Sequence, residues 1–508
     1  HFMFANERKL FPEVDHHTTF SLNVYGGPLM VSFDTISNLY DASSIIDCYE
    51  GDSRTKLPGI KDELGNWNTK GHPDRLIKIT KKELLVFAKL FDDSDDWKSA
   101  KLPALYSKQI VTVLTKFLDA PMKLSGYGKK LLTTLMWDET NAQNDGTIER
   151  NVHFPSELSE VIYSGPHIGV ANPLFKSSRR ICKLNSDYDN IDLTEISSDY
   201  IQRINYLPSC DMTDYWGRVP KTLNGELTTQ HYRLILRKML NITGERTLIG
   251  AVVPPKTTHT NGLIGIDVSD THDLMLIAGL FSSVPFDFLV KVTGKSNFTD
   301  DTAKMMPVLK TLYDREIIVR ALMLNCVSSN YETLWNNCYS DAFTGCQWSK
   351  FDTRLNNNKF VTLEKEWTYN TPLRTDFERR QALIELDVLA AMSLGMSLKQ
   401  LITIYQIQFP VLQSYENDTW YDSQGRIIFT TNRSLTTMGV DRTTWENTIK
   451  CTPDNQIYRH TISDDTMPSG PVERIIEYVA PFDRCDREKD YETAWKFFEK
   501  KYGLGGAK

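Results

Sequence analysis

The chain has 508 residues, with 58 Lys and Arg against 65 Asp and Glu, so its net charge is −7 at pH 7. This length predicts about three domains, and it allows several buried cores without metal or disulfide support. The eight cysteines form no CxxC pair and no run of about 18 apolar residues occurs, so we expect reduced thiols, no zinc site, no membrane span and a cytoplasmic protein.

The first part of the chain predicts strands. Residues 1–4 read as the middle of a strand, and we therefore expect the chain to be a piece of a longer protein. Apolar and polar residues alternate over 18–34 around Gly26-Gly27-Pro28, with Phe20, Leu22 and Val24 on one face. This pattern predicts a β-hairpin that turns at the glycines.

Residues 36–135 predict mostly helices. Apolar side chains recur at helical spacing over 84–91 and again over 110–117. The acidic run 92–96 lies directly after the first of these stretches. We interpret it as a helix stop in a solvated loop rather than as a metal site.

The amino-acid composition changes between residues 150 and 265, where Pro and Gly become frequent. The apolar run 248–253 ends at Pro254-Pro255, which predicts a buried strand that stops there. Short strands between turns are therefore expected in this region.

Segment 216–260 is basic although the chain as a whole is acidic. It holds seven cations against Glu226 and Glu245, so its net charge is 7 − 2 = +5. An acidic body with a basic insert suits a protein that contacts DNA along one groove, and a single solvated basic face is the alternative. The seven cations are Arg218, Lys221, Arg233, Arg237, Lys238, Arg246 and Lys256.

The last two hundred residues predict helices again. The spacing of apolar residues predicts one helix over 308–325 and a final helix over 487–502. A helical hairpin is expected between them, in which Asp376 caps the first helix, Gly395 ends it, and Ser397 caps the second helix.

The run Gly294-Lys295-Ser296 resembles the end of a phosphate-binding loop. That pattern requires a glycine five residues before Gly294, where this chain has Leu289. Without it the backbone cannot wrap a phosphate, and we exclude a nucleotide triphosphatase. Neither a Gly-x-Ser-x-Gly elbow nor an HExxH motif occurs, so hydrolases of those classes receive no support.

Asn172-Pro173-Leu174-Phe175 is close to the Asn/Asp-Pro-Pro-aromatic motif of adenine methyltransferases. In that motif carbonyl oxygens accept hydrogen bonds from the adenine amino group, and the aromatic ring stacks on the flipped base. Leu174 stands where the second proline is required, and the upstream Gly26-Gly27 pair fits a hairpin better than a cofactor loop. We therefore predict no catalytic residue here and interpret the run as a loop that organises a recognition domain.

Several blocks of the chain, taken in order, carry a family resemblance. The strongest is Gly244-Glu245-Arg246-Thr247-Leu248-Ile249, followed by Val253-Pro254-Pro255. The others are Phe4-Ala5-Asn6-Glu7-Arg8 with His17 and Phe20, Ser164-Gly165-Pro166-His167, the run 188–196, Phe286-Asp287-Phe288-Leu289, the run 405–410, and Asp483-Arg484-Cys485-Asp486-Arg487. Together they resemble the region downstream of the catalytic motifs in type IIG-like adenine-specific DNA methyltransferases. These include the large BREX and DISARM methylases, and the DISARM class 1 methylases are most similar.

The resemblance implies a mixed α/β chain in four parts. Residues 1–35 would be the end of a methyltransferase sheet, and 36–150 a helical spacer. Residues 151–310 would form an α/β target-recognition domain, and 311–508 a helical region that completes DNA recognition.

The resemblance also implies a function. The intact enzyme would transfer a methyl group from S-adenosylmethionine to N6 of adenine in a restriction-modification or phage-defence system. This chain would choose the site on double-stranded DNA, and the catalytic motifs would lie in an upstream domain or subunit. Other defence-system proteins would be further partners. A non-catalytic DNA-specificity subunit and an interaction scaffold of a defence complex are the alternatives.

The seven cations of segment 216–260 are the residues predicted to face DNA. An arginine that reaches a guanine would contribute about 1–3 kcal/mol of discrimination. Each could instead be structural, and Arg246 in particular could pair with a core carboxylate. We interpret His259 as a loop histidine rather than as a DNA contact.

Overall fold

A computed structural model describes residues 1–16, 18–27, 30–55, 57–62, 65–222, 224–435 and 437–503. Pro28 of the predicted turn and His17 of the first resemblance block lie outside these ranges. The described chain is mixed α/β, as predicted, and its strands form several small sheets.

The strands, in chain order, are β1 Phe2–Ala5, β2 Thr19–Leu22, β3 Ser32–Leu39, β4 Ile77–Thr80, β5 Met122–Lys123, β6 Leu131–Thr134, β7 Ile148–Glu149, β8 Ile162–Tyr163, β9 Lys176–Ser178, β10 Tyr188–Asn190, β11 Leu207–Pro208, β12 Arg233–Arg237, β13 Gly250–Val253, β14 Thr258–His259, β15 Leu263–Val268, β16 Pro307–Val308, β17 Trp420–Tyr421, β18 Ile427–Phe429, β19 Ile457–Asp464, β20 Val472–Val479 and β21 Asp483–Arg484.

The α-helices are α1 Ser43–Glu50, α2 Lys81–Phe91, α3 Lys108–Leu118, α4 Glu139–Asn144, α5 Met212–Arg218, α6 Thr271–Phe281, α7 Val284–Lys291, α8 Asp300–Met305, α9 Asp314–Asn325, α10 Glu332–Cys338, α11 Asp376–Ser393, α12 Leu398–Gln408, α13 Pro410–Asn417, α14 Arg442–Thr444 and α15 Arg487–Lys501. Short 3-10 segments lie at Asn6–Arg8, Pro73–Arg75, Trp97–Ser99, Leu124–Lys130, Leu158–Glu160, Gly165–His167, Thr228–Gln230, Ser329–Tyr331 and Asp341–Gly345, and a π turn lies at Trp445–Ile449.

The N-terminal sheet has the strand order β2-β1-β3-β4. β1 pairs antiparallel with β2 and parallel with β3. The predicted hairpin across the glycine turn is therefore wrong, because β1 lies between the two strands that it would have joined. The alternation specified which residues form strands but carried no information about which strands pair.

The central sheet has the strand order β13-β12-β15-β6, and all of its pairs are antiparallel. Side chains alternate between its faces. Leu234 and Ile266 belong to the main core with the apolar side chains of α6 and α7. Ile235 and Val253 belong to a second core with Val161, beneath the 150–206 region. Arg233 and Arg237 share the parity of Ile235 and so lie on this second face.

Helices α6, α7, α9, α11, α12 and α15 form one packed layer against the sheet and each other. The predicted final helix is confirmed, as is the C-terminal part of the helix predicted over 308–325. Ser397 caps α12 as predicted, in a capping box with Gln400. The predicted cap of α11 is off by one residue, because the side chain of Thr375, and not that of Asp376, accepts the hydrogen bond from the Glu378 N–H.

The eight cysteines are free thiols, as predicted. In the part of the chain that the structure describes, no single helix is long and apolar enough to cross a membrane. Helices α6 and α7 pass this test only as a pair, and they are bent by 71° at the break between them. Their apolar side chains are buried in the protein core.

Candidate nucleic-acid interface

Arg233 is buried and does not reach the surface. Its side chain is fully enclosed, and Nη2 donates to the Thr257 carbonyl oxygen at 2.5 Å. Burial lowers the pKa of the guanidinium to about 10, and the charges of Asp267 and Tyr163 act in the opposite direction. The prediction that Arg233 faces DNA is corrected here, because strand parity turns its side chain under the 150–206 region.

Arg246 is also buried, in the structural role that the sequence analysis kept as an alternative. Its Nε donates to Asp287 Oδ2 at 2.5 Å, and Nη2 donates to the Ser282 carbonyl oxygen at 2.7 Å. The backbone N–H groups of Thr247 and Leu248 also donate to the Asp287 carboxylate. Arg246 thus joins two of the resemblance blocks and is unavailable to DNA, which corrects its prediction as a DNA contact.

Arg237 and Lys238 are partly buried and have protein partners. Arg237 Nη2 donates to the Ile168 carbonyl oxygen at 2.5 Å, and burial lowers the pKa of its guanidinium to about 10. Lys238 Nζ donates to Asn261 Oδ1 at 2.9 Å. We assign Arg237 to holding the loop around Ile168, which corrects its prediction as a DNA-facing residue.

Arg218, Lys221 and Lys256 remain exposed. The Lys256 N–H donates to the Thr229 carbonyl oxygen at 2.6 Å, which brings its turn against the loop that carries Lys221. Arg218 is 40% exposed and pairs with Asp145 at 3.2 Å. Three of the seven predicted cations therefore share one accessible region around the end of α5.

Sequence reasoning missed a second group of cations, on the loop 179–187 between β9 and β10. Arg179, Arg180 and Lys183 are exposed on this loop. Two exposed apolar side chains lie beside them, Ile181 at 73% and Leu184 at 66%. The available signal was the mixture of cations and apolar residues in a short polar segment, and this segment lies outside the basic stretch 216–260.

The 179–187 loop is held in a fixed shape. The Asp187 carboxylate accepts hydrogen bonds from the N–H groups of Lys183 and Leu184, and these bonds lower the pKa of Asp187. Arg180 pairs at 3.2 Å with Asp465, which lies beyond the end of β19 and also binds Arg203. A loop that is ordered before binding loses less conformational entropy when a ligand arrives.

Arg150 connects the two cationic regions. Its Nη2 donates to the Cys182 carbonyl oxygen in the 179–187 loop at 2.7 Å. Arg218 binds the side chains of Asp145 and Thr147, just before β7, and Arg150 directly follows β7. Exposed cations therefore extend from α5 along β7 to the 179–187 loop. We call this set the β7 surface: Arg150, Arg179, Arg180, Lys183, Arg218, Lys221 and Lys256.

The Asn172 run is a packed loop. Asn172 Oδ1 accepts a hydrogen bond from the Leu174 N–H at 3.1 Å, and Leu174 lies in the main core. Arg379 from α11 donates to the Ala171 carbonyl oxygen at 2.9 Å. These contacts support the interpretation of this run as an organising element.

The residues present do not fit the methyl donor that the resemblance implies. Such a site needs a glycine-rich turn between a strand and a helix. Gly26 and Gly27 follow β2, but the next described element is β3, a strand. The side-chain oxygen of Asn172 is already engaged by Leu174. We assign no step of methyl transfer to these residues. Over the described ranges, no group of three or more His, Cys, Asp or Glu could hold a metal ion.

His167 packs inside the resemblance block that supports the β9 strand. Its Nδ1 accepts a hydrogen bond from the Ser164 N–H at 2.9 Å, and Nε2 donates to Ser178 Oγ at 3.0 Å. Burial lowers the pKa of His167 to about 3. The folded protein therefore holds the neutral imidazole, since protonation would remove the Nδ1 acceptor.

This burial predicts a pH effect on stability. The unfolded histidine titrates near pH 6.5, so below that pH the unfolded chain binds a proton that the folded chain refuses. The contribution of the neutral His167 to the free energy of unfolding is therefore complete above pH 6.5. It falls by about 1.4 kcal/mol per pH unit between pH 6.5 and pH 3. Between pH 6.5 and pH 5, the free energy of unfolding measured with urea should fall by about 2 kcal/mol more in the wild type than in His167→Asn. The exposed control His272→Asn should follow the wild type, and identical profiles for the two variants would refute this account.

Comparison with models of known protein families finds no match to this chain, and comparison with curated proteins finds none either.

Proposed function

We propose that this chain is the DNA-recognition part of an S-adenosylmethionine-dependent N6-adenine DNA methyltransferase of a restriction-modification or phage-defence system. The observation that carries the proposal is the 179–187 loop, where the exposed Arg179, Arg180 and Lys183 share one short segment with the exposed Ile181 and Leu184. In this proposal the methyl transfer is performed by an upstream methyltransferase domain or subunit.

The loop combines the two kinds of contact that a duplex accepts. Arginine and lysine neutralise backbone phosphates, and this term supplies most sequence-independent affinity. Apolar side chains on a projecting element can enter between base steps and bend the duplex. Exposed Ile181 and Leu184 lose water-exposed apolar area on such insertion, which favours the complex. Each feature alone is common on protein surfaces. The support for DNA binding is that both occur on one loop, which joins the antiparallel strands β9 and β10.

The other cations of the β7 surface could contact further phosphates along the duplex. Arg218, at the end of α5, binds Asp145 just before β7, and Arg150 follows β7. Lys221 follows α5, and Lys256 lies on a turn against the same loop. Phosphate contacts along this line would fix the position of the duplex while other side chains read base edges. Residues 151–310 act as the target-recognition domain in this proposal, and the flanking parts support it.

A salt titration tests the proposal. Binding of the full chain to a fluorescein-labelled duplex is measured by anisotropy between 50 and 200 mM salt. Each neutralised phosphate contributes about −0.9 to the slope of log K against log salt. With four or more of the seven cations engaged, the affinity should fall about a hundredfold over this range.

The same titration separates the alternatives. Absence of binding at the lowest salt contradicts the proposal and favours an interaction scaffold. A methylation assay adds S-adenosylmethionine to the chain together with its upstream partner. Salt-dependent DNA binding with no methylation in this assay favours a non-catalytic specificity subunit. Tritium transfer from the methyl donor to adenine in the reconstituted enzyme is the result that the proposal requires.

A further inference from the structure

A cavity of about 270 Å³ lies where α2 and α3 meet α7, α8 and β16. We call it the α2–α8 cavity. Its walls are largely apolar and include Phe91, Phe117, Leu289, Met306 and Pro307. Phe117 and Leu289 also belong to the main core, so this wall is part of the fixed packing of the protein. Ligand sites usually combine such a wall with a few polar groups that set orientation.

Three lysines line the cavity, and two of them have carboxylate partners. Lys89 pairs with Asp95 at 3.1 Å, and Lys123 pairs with Asp93 at 2.6 Å. Their charges are already balanced within the protein. Both carboxylates also line the cavity.

Lys295 differs from the other two. Its Nζ donates to Thr302 Oγ1 at 3.1 Å, a neutral partner, and it forms no ion pair with any carboxylate of the described chain. Its side chain is partly buried and lines the cavity. Burial is the largest cause of a lowered pKa at Lys295, followed by the charge of Lys101. The charges of Asp301 and Asp92 act in the opposite direction, but neither carboxylate forms an ion pair with Lys295. A partly desolvated cation without an ion-pair partner is stabilised when an anion binds beside it.

We propose that the α2–α8 cavity binds a small organic anion with an aromatic or other flat apolar body, whose charged group pairs with Lys295. The volume of about 270 Å³ suits a molecule of two or three rings, since it lies just below the range of about 300–1,000 Å³ usual for drug-sized ligands. The site lies apart from the β7 surface, and the proposal does not depend on DNA binding.

Two fluorescent probes test the proposal on the full chain. Anilinonaphthalene sulfonate is an aromatic anion of the proposed class, and phenylnaphthylamine is its uncharged counterpart. Both should bind saturably to the wild type. Lys295→Met keeps the approximate length of the side chain but removes its charge. This substitution should lower the affinity for the anionic probe about tenfold and leave the affinity for the neutral probe unchanged.

Two further variants complete the test. Ala120 lines the cavity, and Ala120→Phe should fill it and abolish saturable binding of both probes. Lys304 lies on α8, is exposed and pairs with Asp300, and it does not line the cavity. Lys304→Met therefore makes the same change in net charge and should leave both titrations unchanged.

Either of two results would overturn the proposal. One is an unchanged titration of the anionic probe in Ala120→Phe, which would place the probe elsewhere. The other is an equal response of Lys295→Met and Lys304→Met. Ala120→Phe retains Lys295, and Lys295→Met retains the cavity, so failure of one variant to fold leaves the other decisive.

Discussion

Arg320→Met should lower the free energy of unfolding by about 3–5 kcal/mol, because it leaves two carboxylates buried with one of their cations removed. Arg320 lies on α9 and its side chain is fully buried between Glu316 and Glu385, which are also fully buried. Removing one partner leaves an uncompensated charge in the core. The resulting loss of unfolding free energy is far larger than the difference between the intact ion group and apolar residues in its place.

The geometry of this group explains why the loss should be large. Arg320 donates to Glu385 Oε2 at 2.6 Å, to Glu316 Oε2 at 2.7 Å and to the Gln347 carbonyl oxygen at 2.8 Å. Burial alone would raise the pKa of Glu316, but Arg320 and Lys501 outweigh it and hold the pKa below its ordinary value. Without Arg320, the ion pair that the described chain retains in this group is the one between Lys501 and Glu316, at 2.7 Å.

Urea unfolding followed by circular dichroism measures this effect. Arg54→Met is the matched control, because it removes the same charge from an exposed pair with Asp52. Exposed pairs contribute little to stability, so the control should unfold like the wild type. A loss below about 1 kcal/mol in Arg320→Met would show that the buried carboxylates find other partners or take up protons at little cost.

Regular helices could be predicted from the sequence because their signal is local. The apolar residues of α2, α3 and α15 recur at helical spacing, and these faces are buried in the structure. Strand pairing was not predictable in the same way. β6 lies in a segment that reads as mostly helical, yet it forms an edge of the central sheet beside β15, more than a hundred residues away.

The cationic site shows a second limit. A count of Lys and Arg over 216–260 cannot distinguish Arg233, which alternates with Leu234 on a buried strand, from Lys256 on an exposed turn. The parity of β12 was visible in the sequence, but which of its faces was covered depended on the distant 150–206 region. Arg246 was recognisable as a possible core residue, and its partner Asp287 lies in another resemblance block.

The second large effect is expected from the 179–187 loop. Replacing Arg179, Arg180 and Lys183 together with Ala should weaken binding to duplex DNA about a hundredfold at 50 mM salt, since three phosphate contacts are removed at once. The carboxylates that now pair with Arg179 and Arg180 would also lose these cations. Their negative charges would then repel the phosphate backbone of the DNA. The loop hydrogen bonds to Asp187 come from backbone groups, so its shape should survive the change.

The most direct measurement of the DNA-recognition proposal is the slope of log K against log salt for this triple variant beside the wild type. The matched control replaces Lys489, Lys496 and Lys500 with Ala, which removes three exposed charges from α15. We expect the slope to become shallower by about 2–3 in the loop variant, at about 0.9 for each lost phosphate contact, and to stay at the wild-type value in the control. Equal slopes in all three proteins would contradict the assignment of the 179–187 loop to DNA.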